Sequence, residues 1–338
     1  MIYRKIPCRF LTICLAVFLL LVPAGGTLSQ EISQTGRIRI ESALVTVPVI
    51  VSDVRGRFLP GLDRDSFQLY QDGVQVPISV FLTSEDPITI ALLLDTSAST
   101  KSVLGKIKKA ATRFLLQLRD RDVAMVASFS TNFQVLCRFS SDPEELEDAI
   151  KSARAGGGLT KMRDAIYEVI HRRFRSAAGR KAIVILTDGQ DHGSQISSQD
   201  LLDEISTTGI SIYSVFYTVD PRELMKELTG ISSRIPRTSS EQATGPMADW
   251  KKREEEAAQY LEEISDLSAG RFFRSDITKL DDAFKQVSGE LRSQYLLGFY
   301  PEPSKLDGSI HELAVKVAAP ETIVRSRRSY RSAAQAEP

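Results

Sequence analysis

The chain is short of cysteine, histidine and tryptophan, has no excess of either charge and, beyond Val22, contains no long apolar run. Of its three cysteines, Cys8 and Cys14 lie near the amino terminus, so Cys137 stands alone in the remainder and no intramolecular disulfide can staple the fold. Cys137 sits in the apolar string Phe133 to Phe139 and reads as a small core residue rather than a reactive thiol. The three histidines, His171, His192 and His311, are scattered without metal-ligand spacing, and no Gly-x-Ser-x-Gly elbow is present. Basic and acidic residues number 43 each, which gives no reason to expect nucleic acid or an anionic membrane surface as partner. Two local basic clusters, His171 to Arg175 with Arg180 and Lys181, and Arg325 with Arg327 and Arg328, read as solvated faces.

What is present begins with a targeting segment. Arg4, Lys5 and Arg9 precede the apolar run Phe10 to Val22, and Ala24, Gly25 and Gly26 follow. Residues 1–30 therefore read as a secretory signal peptide, with an uncleaved anchor as the alternative, since the run is short for a bilayer span. Its removal leaves a net charge of about −3, a secreted or periplasmic location and no integral membrane domain.

Residues 31–86 carry short alternating segments. From Arg37 to Asp53, Val45, Val47, Val49 and Val51 share one face, and Pro48, which cannot donate to a ladder, predicts a sheet edge or a bulge. Phe67 and Leu69 read as inward residues of a further strand, and Asp72-Gly73 as a hairpin turn. So short a segment makes a marginal domain. Residues 295–330 supply similar strands, with Leu313, Val315 and Val317 on one side, and the tail from 331 to 338 reads as disordered. The expectation is a small β-sandwich built from both ends of the chain, with residues 87–294 inserted between them.

Within that insert, buried strands at 88–94, 122–129, 181–187 and 210–217 alternate with helices at 103–118, 143–151, 161–174 and 198–207. A loop or insertion over 229–249 then precedes a helix from Trp250 to Leu267, a short strand at 270–274 and a last helix from 276 to 292. This alternation predicts a doubly wound α/β domain with a mostly parallel sheet.

Polar residues appear abruptly where the first of these strands ends. Asp95, Ser97 and Ser99 leave Ile88 to Leu94, Thr160 follows Gly156-Gly157-Gly158-Leu159, and Asp188 follows Leu186-Thr187 at the end of another strand. In open α/β sheets, ligands bind at the carboxyl ends of strands beside a topological switch point. If the sheet order unites these ends, hydroxyls and carboxylates surround one point. Oxygen-only ligation with few charges suits Mg²⁺, with Mn²⁺ as the alternative. Neutral hydroxyls leave such a cation electrophilic enough to accept a carboxylate from a protein partner.

The Asp-Thr-Ser-Ala-Ser, Gly-Gly-Leu-Thr and Leu-Thr-Asp-Gly segments resemble the metal-ion-dependent adhesion site of von Willebrand factor A domains, over roughly residues 87 to 294. The resemblance implies that fold, Mg²⁺ at Asp95, Ser97, Ser99, Thr160 and Asp188, and binding rather than catalysis. The flanks, Val51 to Leu62 and Tyr295 to Pro301, are similar to exported proteins of acidobacteria that carry this domain. Two other readings start from the same residues. In one, the domain is a scaffold of an envelope assembly whose cation only stabilises the fold. In the other, a haloacid-dehalogenase-type phosphatase, the second aspartate two residues on is missing, because Ser97 stands there.

Overall fold

The computed structural model describes residues 44–156, 158–175, 177–218 and 246–333. The expected signal peptide and most of the expected 229–249 loop lie outside these residues.

The described residues open with four strands, β1 (Val45–Asp53), β2 (Phe67–Gln71), β3 (Val74–Val76) and β4 (Val80–Leu82). Between β2 and β3, Asp72 and Gly73 both adopt positive φ (50° and 78°), the backbone that a tight two-residue hairpin turn requires. The central elements are β5 (Ile88–Asp95), α1 (Leu104–Leu115), β6 (Val123–Phe129), β7 (Phe133–Ser140), α2 (Pro143–Ser152), α3 (Met162–Glu168), β8 (Arg180–Thr187), α4 (Ser198–Thr207), β9 (Ser211–Tyr217), α5 (Pro246–Leu267), β10 (Arg271–Ser275) and α6 (Leu280–Leu291). Four strands close the described residues: β11 (Tyr295–Phe299), β12 (Ile310–Val317), β13 (Thr322–Ser326) and β14 (Ser329–Arg331).

Six strands form the central sheet in the order β10-β9-β8-β5-β6-β7, all parallel except β7. Alternation along β5 divides its apolar side chains between two layers. Ile90, Leu92 and Leu94 pack with Ile107 and Phe114 of α1 and Phe284 of α6, while Ala91 and Leu93 pack with Ile166 of α3, Leu201 of α4 and Leu261 of α5. Helix starts follow their sequence signals. Asp142 caps α2 by accepting from the Glu144 N–H (2.9 Å), with Pro143 in the first turn, and Ser197 caps α4 through the Asp200 N–H (3.1 Å).

Several boundaries differ from the sequence expectation. The helix expected over 161–174 is α only to Glu168 and continues as a π turn over Val169–Arg173. Helix α5 begins at Pro246, inside the expected loop. The last helix starts at Leu280, because the Asp276 carboxylate accepts from the Thr278 N–H (2.7 Å) and holds a turn ahead of it. The expected disordered tail is ordered at its start: Arg331 ends β14, and Ser332 is buried, its hydroxyl donating to Asp307 (3.1 Å).

The flanking strands form two four-stranded sheets, β13-β1-β11-β4 and β14-β12-β2-β3. Val47, Val49, Val51, Leu297 and Phe299 of the first meet Phe67, Leu69, Leu313 and Tyr330 of the second in a common core. Strands from both ends of the chain thus make one sandwich. Pro48 sits in β1, which has a neighbour on each side, yet β13 pairs with β1 only from Val49 onward while β11 pairs over Val45 to Val49. Proline therefore occupies the stretch with one open side, where a missing N–H costs no ladder bond.

The basic clusters read as solvated faces prove partly buried. Arg180 is 2% exposed and donates to the carbonyls of Thr83, Ser84 and Asp86, on the connection entering β5, and of Leu291, at the end of α6. One guanidinium so clasps both crossings between sandwich and central sheet. Arg327, also 2% exposed, donates to the Ser206 and Thr208 carbonyls at the end of α4, where a cation complements the helix dipole. Burial lowers its pKa to about 9. Arg325 pairs with Glu290.

Candidate metal centre

Strand order places the site. The chain runs outward from β5 to β6 on one side and returns to β8 on the other, so the order reverses between β5 and β8, and the carboxyl ends of both strands flank a switch point. Asp95 is the last residue of β5 and Asp188 follows the last residue of β8. Both are buried, at 0% and 5% exposure.

Local geometry fixes the first carboxylate. Asp95 accepts from the Ser97 N–H through Oδ1 (2.9 Å) and from the Thr187 hydroxyl through Oδ2 (2.7 Å). The hydroxyls of Ser97 and Ser99 lie 3.0 Å apart, and that of Ser99 lies against the Asp188 carboxyl. Asp188 Oδ1 accepts from the Gln190 N–H (3.2 Å), whereas Oδ2 is buried with no partner of hydrogen-bonding geometry. Gly189 turns the chain away with φ of 77°, and a Cβ there would stand 2.9 Å from that of Ala257.

The structure brings Asp95, Ser97, Ser99 and Asp188 together directly. Thr160 arrives on a loop tied to both neighbours: Gly156 N–H donates to the Thr96 carbonyl (2.6 Å), and the Thr160 carbonyl accepts from the His192 N–H (2.9 Å). Gly156 permits that approach, since a Cβ there would meet the Ser130 hydroxyl at 2.7 Å. Thr160 is buried at 4% exposure, and no hydrogen bond joins its hydroxyl to the other four residues.

Electrostatics set this cluster apart. Burial first, and the Asp188 charge second, push the Asp95 carboxyl up to about 7. Burial likewise raises Asp188, against the Ser99 and Gln190 hydrogen bonds. No ion pair reaches either carboxylate among the described residues. No group of three or more His, Cys, Asp or Glu with metal-site geometry occurs among them either, so any cation here must draw on hydroxyls as well as the two carboxylates.

Sequence reasoning missed the supporting residues. Thr187, a hydroxyl ending an apolar strand, holds Asp95 in place, and its position beside Asp188 was the available signal. Tyr217, buried at the end of β9, is held well above its ordinary pKa by burial and then by Asp95 and Asp188, and its hydroxyl has no partner. Asp164, in the first turn of α3, accepts from the Gln195 and Ile196 N–H groups (2.8 and 3.0 Å). Asp191 accepts from the Arg163 N–H (2.9 Å) and the Ser194 hydroxyl (2.7 Å). Together they brace the loop after Asp188. His192 is exposed, its Nε2 beside the Gln190 side chain (2.9 Å).

Residues 89–251 match the family model of the von Willebrand factor type A domain. Those residues form an A domain of this kind. Domains of the family are adhesion and interaction modules, and those that keep the metal-ion-dependent adhesion site (MIDAS) bind divalent cations. Integrin alpha-X of Homo sapiens is 26% identical over 146 residues, which are 40% of this chain and 11% of that protein, so the chain spans about a tenth of the length of this relative. Among solved structures, BatB from Bacteroides thetaiotaomicron is similar at 18% identity and a TM-score of 0.44, covering 60% of this chain and 97% of that one. Proximal thread matrix protein 1 from the mussel byssus, with a zinc-occupied MIDAS motif, is similar at 16% identity and a TM-score of 0.46, covering 65% and 48%.

Proposed function

We propose that the A domain is a metal-dependent protein-binding module in which Asp95, Ser97, Ser99, Thr160 and Asp188 hold Mg²⁺, or Mn²⁺, and a partner's acidic side chain completes the coordination shell. The observation that carries this reading is the pair of buried carboxylates without a protein counter-charge among the described residues, one of them with an orphaned oxygen. An isolated buried anion is costly, and a divalent cation removes that cost. The bound ion would supply a Lewis-acidic position open to one further oxygen ligand. Thr187 and the Ser97 N–H hold Asp95 in place, and the Ser97 and Ser99 hydroxyls would offer the ion lone pairs without neutralising its charge. With a serine at position 97 the cluster lacks the second aspartate that a haloacid-dehalogenase-type phosphatase uses as acid and base, and in this reading the module binds without breaking bonds.

In this reading the A domain is presented by the sandwich that β1 to β4 and β11 to β14 build. The basic start and apolar run of residues 4 to 22 support export, and among the described residues no helix is long and apolar enough to cross a membrane.

Calorimetry of the full chain with Mg²⁺ and Mn²⁺ tests the site, and capture of an immobilised Glu-containing peptide with and without chelator tests the function. One cation per chain, lost in Asp95→Ala, and chelator-sensitive capture are expected. Cation uptake without any chelator-sensitive capture would favour the scaffold reading, and absence of uptake would remove the basis of both.

A further inference from the structure

A second site lies at the opposite end of the central sheet, in a cleft of about 730 Å³ between the start of β1, the end of the π turn after α3 and the end of α4. Its size is that of a small-molecule pocket. Apolar walls come from Ile170, Phe174, Ile210 and Leu44. Lys181 lines it because side chains alternate along β8: Ile183 and Ile185 face the α3 and α4 layer, and Lys181, two residues before Ile183, emerges on the same side where the helices end.

The charges do not balance. Lys181 makes no hydrogen bond or ion pair among the described residues, and Arg175 at the rim makes none either. The nearby acid, Glu204, is engaged by His171 at 3.2 Å. Burial holds the Lys181 ammonium below its ordinary pKa, as expected for a cation withdrawn from water without compensation. We infer that this cleft binds a small amphiphile with a single anionic head, a carboxylate or phosphate that pairs with Lys181, and an apolar body lying against Ile170, Phe174 and Ile210. This site is independent of the metal centre, which occupies the carboxyl ends of the strands.

The test uses the full chain titrated calorimetrically with octanoate, octyl phosphate, octanol and inorganic phosphate, each in Mg²⁺ and in chelator. Saturable binding of octanoate or octyl phosphate at one per chain is expected, unchanged by chelator, with octanol at least tenfold weaker; which of the two binds more tightly identifies the head. Lys181→Met should weaken binding at least tenfold and Arg175→Ala two- to fivefold. Independently of any variant, the bound amphiphile should slow acetylation of Lys181 by acetic anhydride at least fivefold, read by mass spectrometry. Equal affinity in Lys181→Met, or inorganic phosphate binding as tightly as the amphiphile, would overturn the inference. So would absence of both binding and protection, the result expected if residues ahead of Leu44 fill the cleft themselves.

Discussion

Two sets of buried carboxylates stand at opposite ends of the same sheet, and the fold treats them differently. Glu290, near the end of α6, has no exposure, yet Arg271 from the start of β10 donates to it at 2.8 Å and Arg325 from β13 pairs with its other oxygen. Asp95 and Asp188 are buried as deeply and receive hydroxyls and backbone N–H groups but no guanidinium or ammonium. The first set is a joint, in which the charge needed to make burial tolerable comes from the two modules it ties together. The second is a vacancy in charge, and an outside cation is the natural complement. Burial alone therefore does not set the proposed site apart; burial without compensation does.

The sharpest way to break the comparison is to remove charge from each set. Glu290→Gln leaves Arg271 and Arg325 without their shared anion and should cost about 3 kcal/mol of stability in urea denaturation, with no effect on cation affinity. Asp188→Asn should act with the opposite sign on the metal-free protein, stabilising it by about 1 kcal/mol because one of two repelling buried charges is gone. The same change should lower Mg²⁺ affinity at least 100-fold by calorimetry, about 2.7 kcal/mol. Destabilisation of the metal-free protein by Asp188→Asn would mean that the two sets are alike.

Acidity offers a gentler probe. Because the folded pKa of Asp95 is raised to about 7, its neutral form is the one favoured by folding. The associated stability is present below about pH 4 and is lost as pH rises towards 7, so the metal-free chain should become easier to melt across that window. Saturating Mg²⁺ should cancel or reverse the slope. The smallest effect is expected from Thr187→Val, which deletes the 2.7 Å bond to Asp95 and leaves the proposed ligands in place. Mg²⁺ affinity should fall about tenfold, with little change in fold stability.

How much was legible in the sequence varies by kind of residue. The strands of the central sheet were readable because a strand covered on both faces is mostly apolar, and β5, β6, β8 and β9 each carry such a run, interrupted mainly near their ends and by Ser214 in β9. The proposed ligands were readable because polar groups interrupt those runs at their carboxyl ends. The arginines were not. Arg180 and Arg325 look like members of surface clusters in the linear chain, since nothing local reveals that Arg180 meets carbonyls at Thr83 and Leu291 or that Arg325 meets Glu290. The role of Asp164 is hidden for the same reason, as its partners are the N–H groups of Gln195 and Ile196 on another loop.

Alternation and turn chemistry, both local properties, were enough to determine the α/β class, the flanking β segments and the three stretches that bear the proposed site. Tertiary structure decided which charges are compensated, because the counter-ion of a buried group comes from wherever the chain returns. The Asp95 and Asp188 carboxylates became a distinct pair only when β5 and β8 were laid side by side and no cation arrived with them.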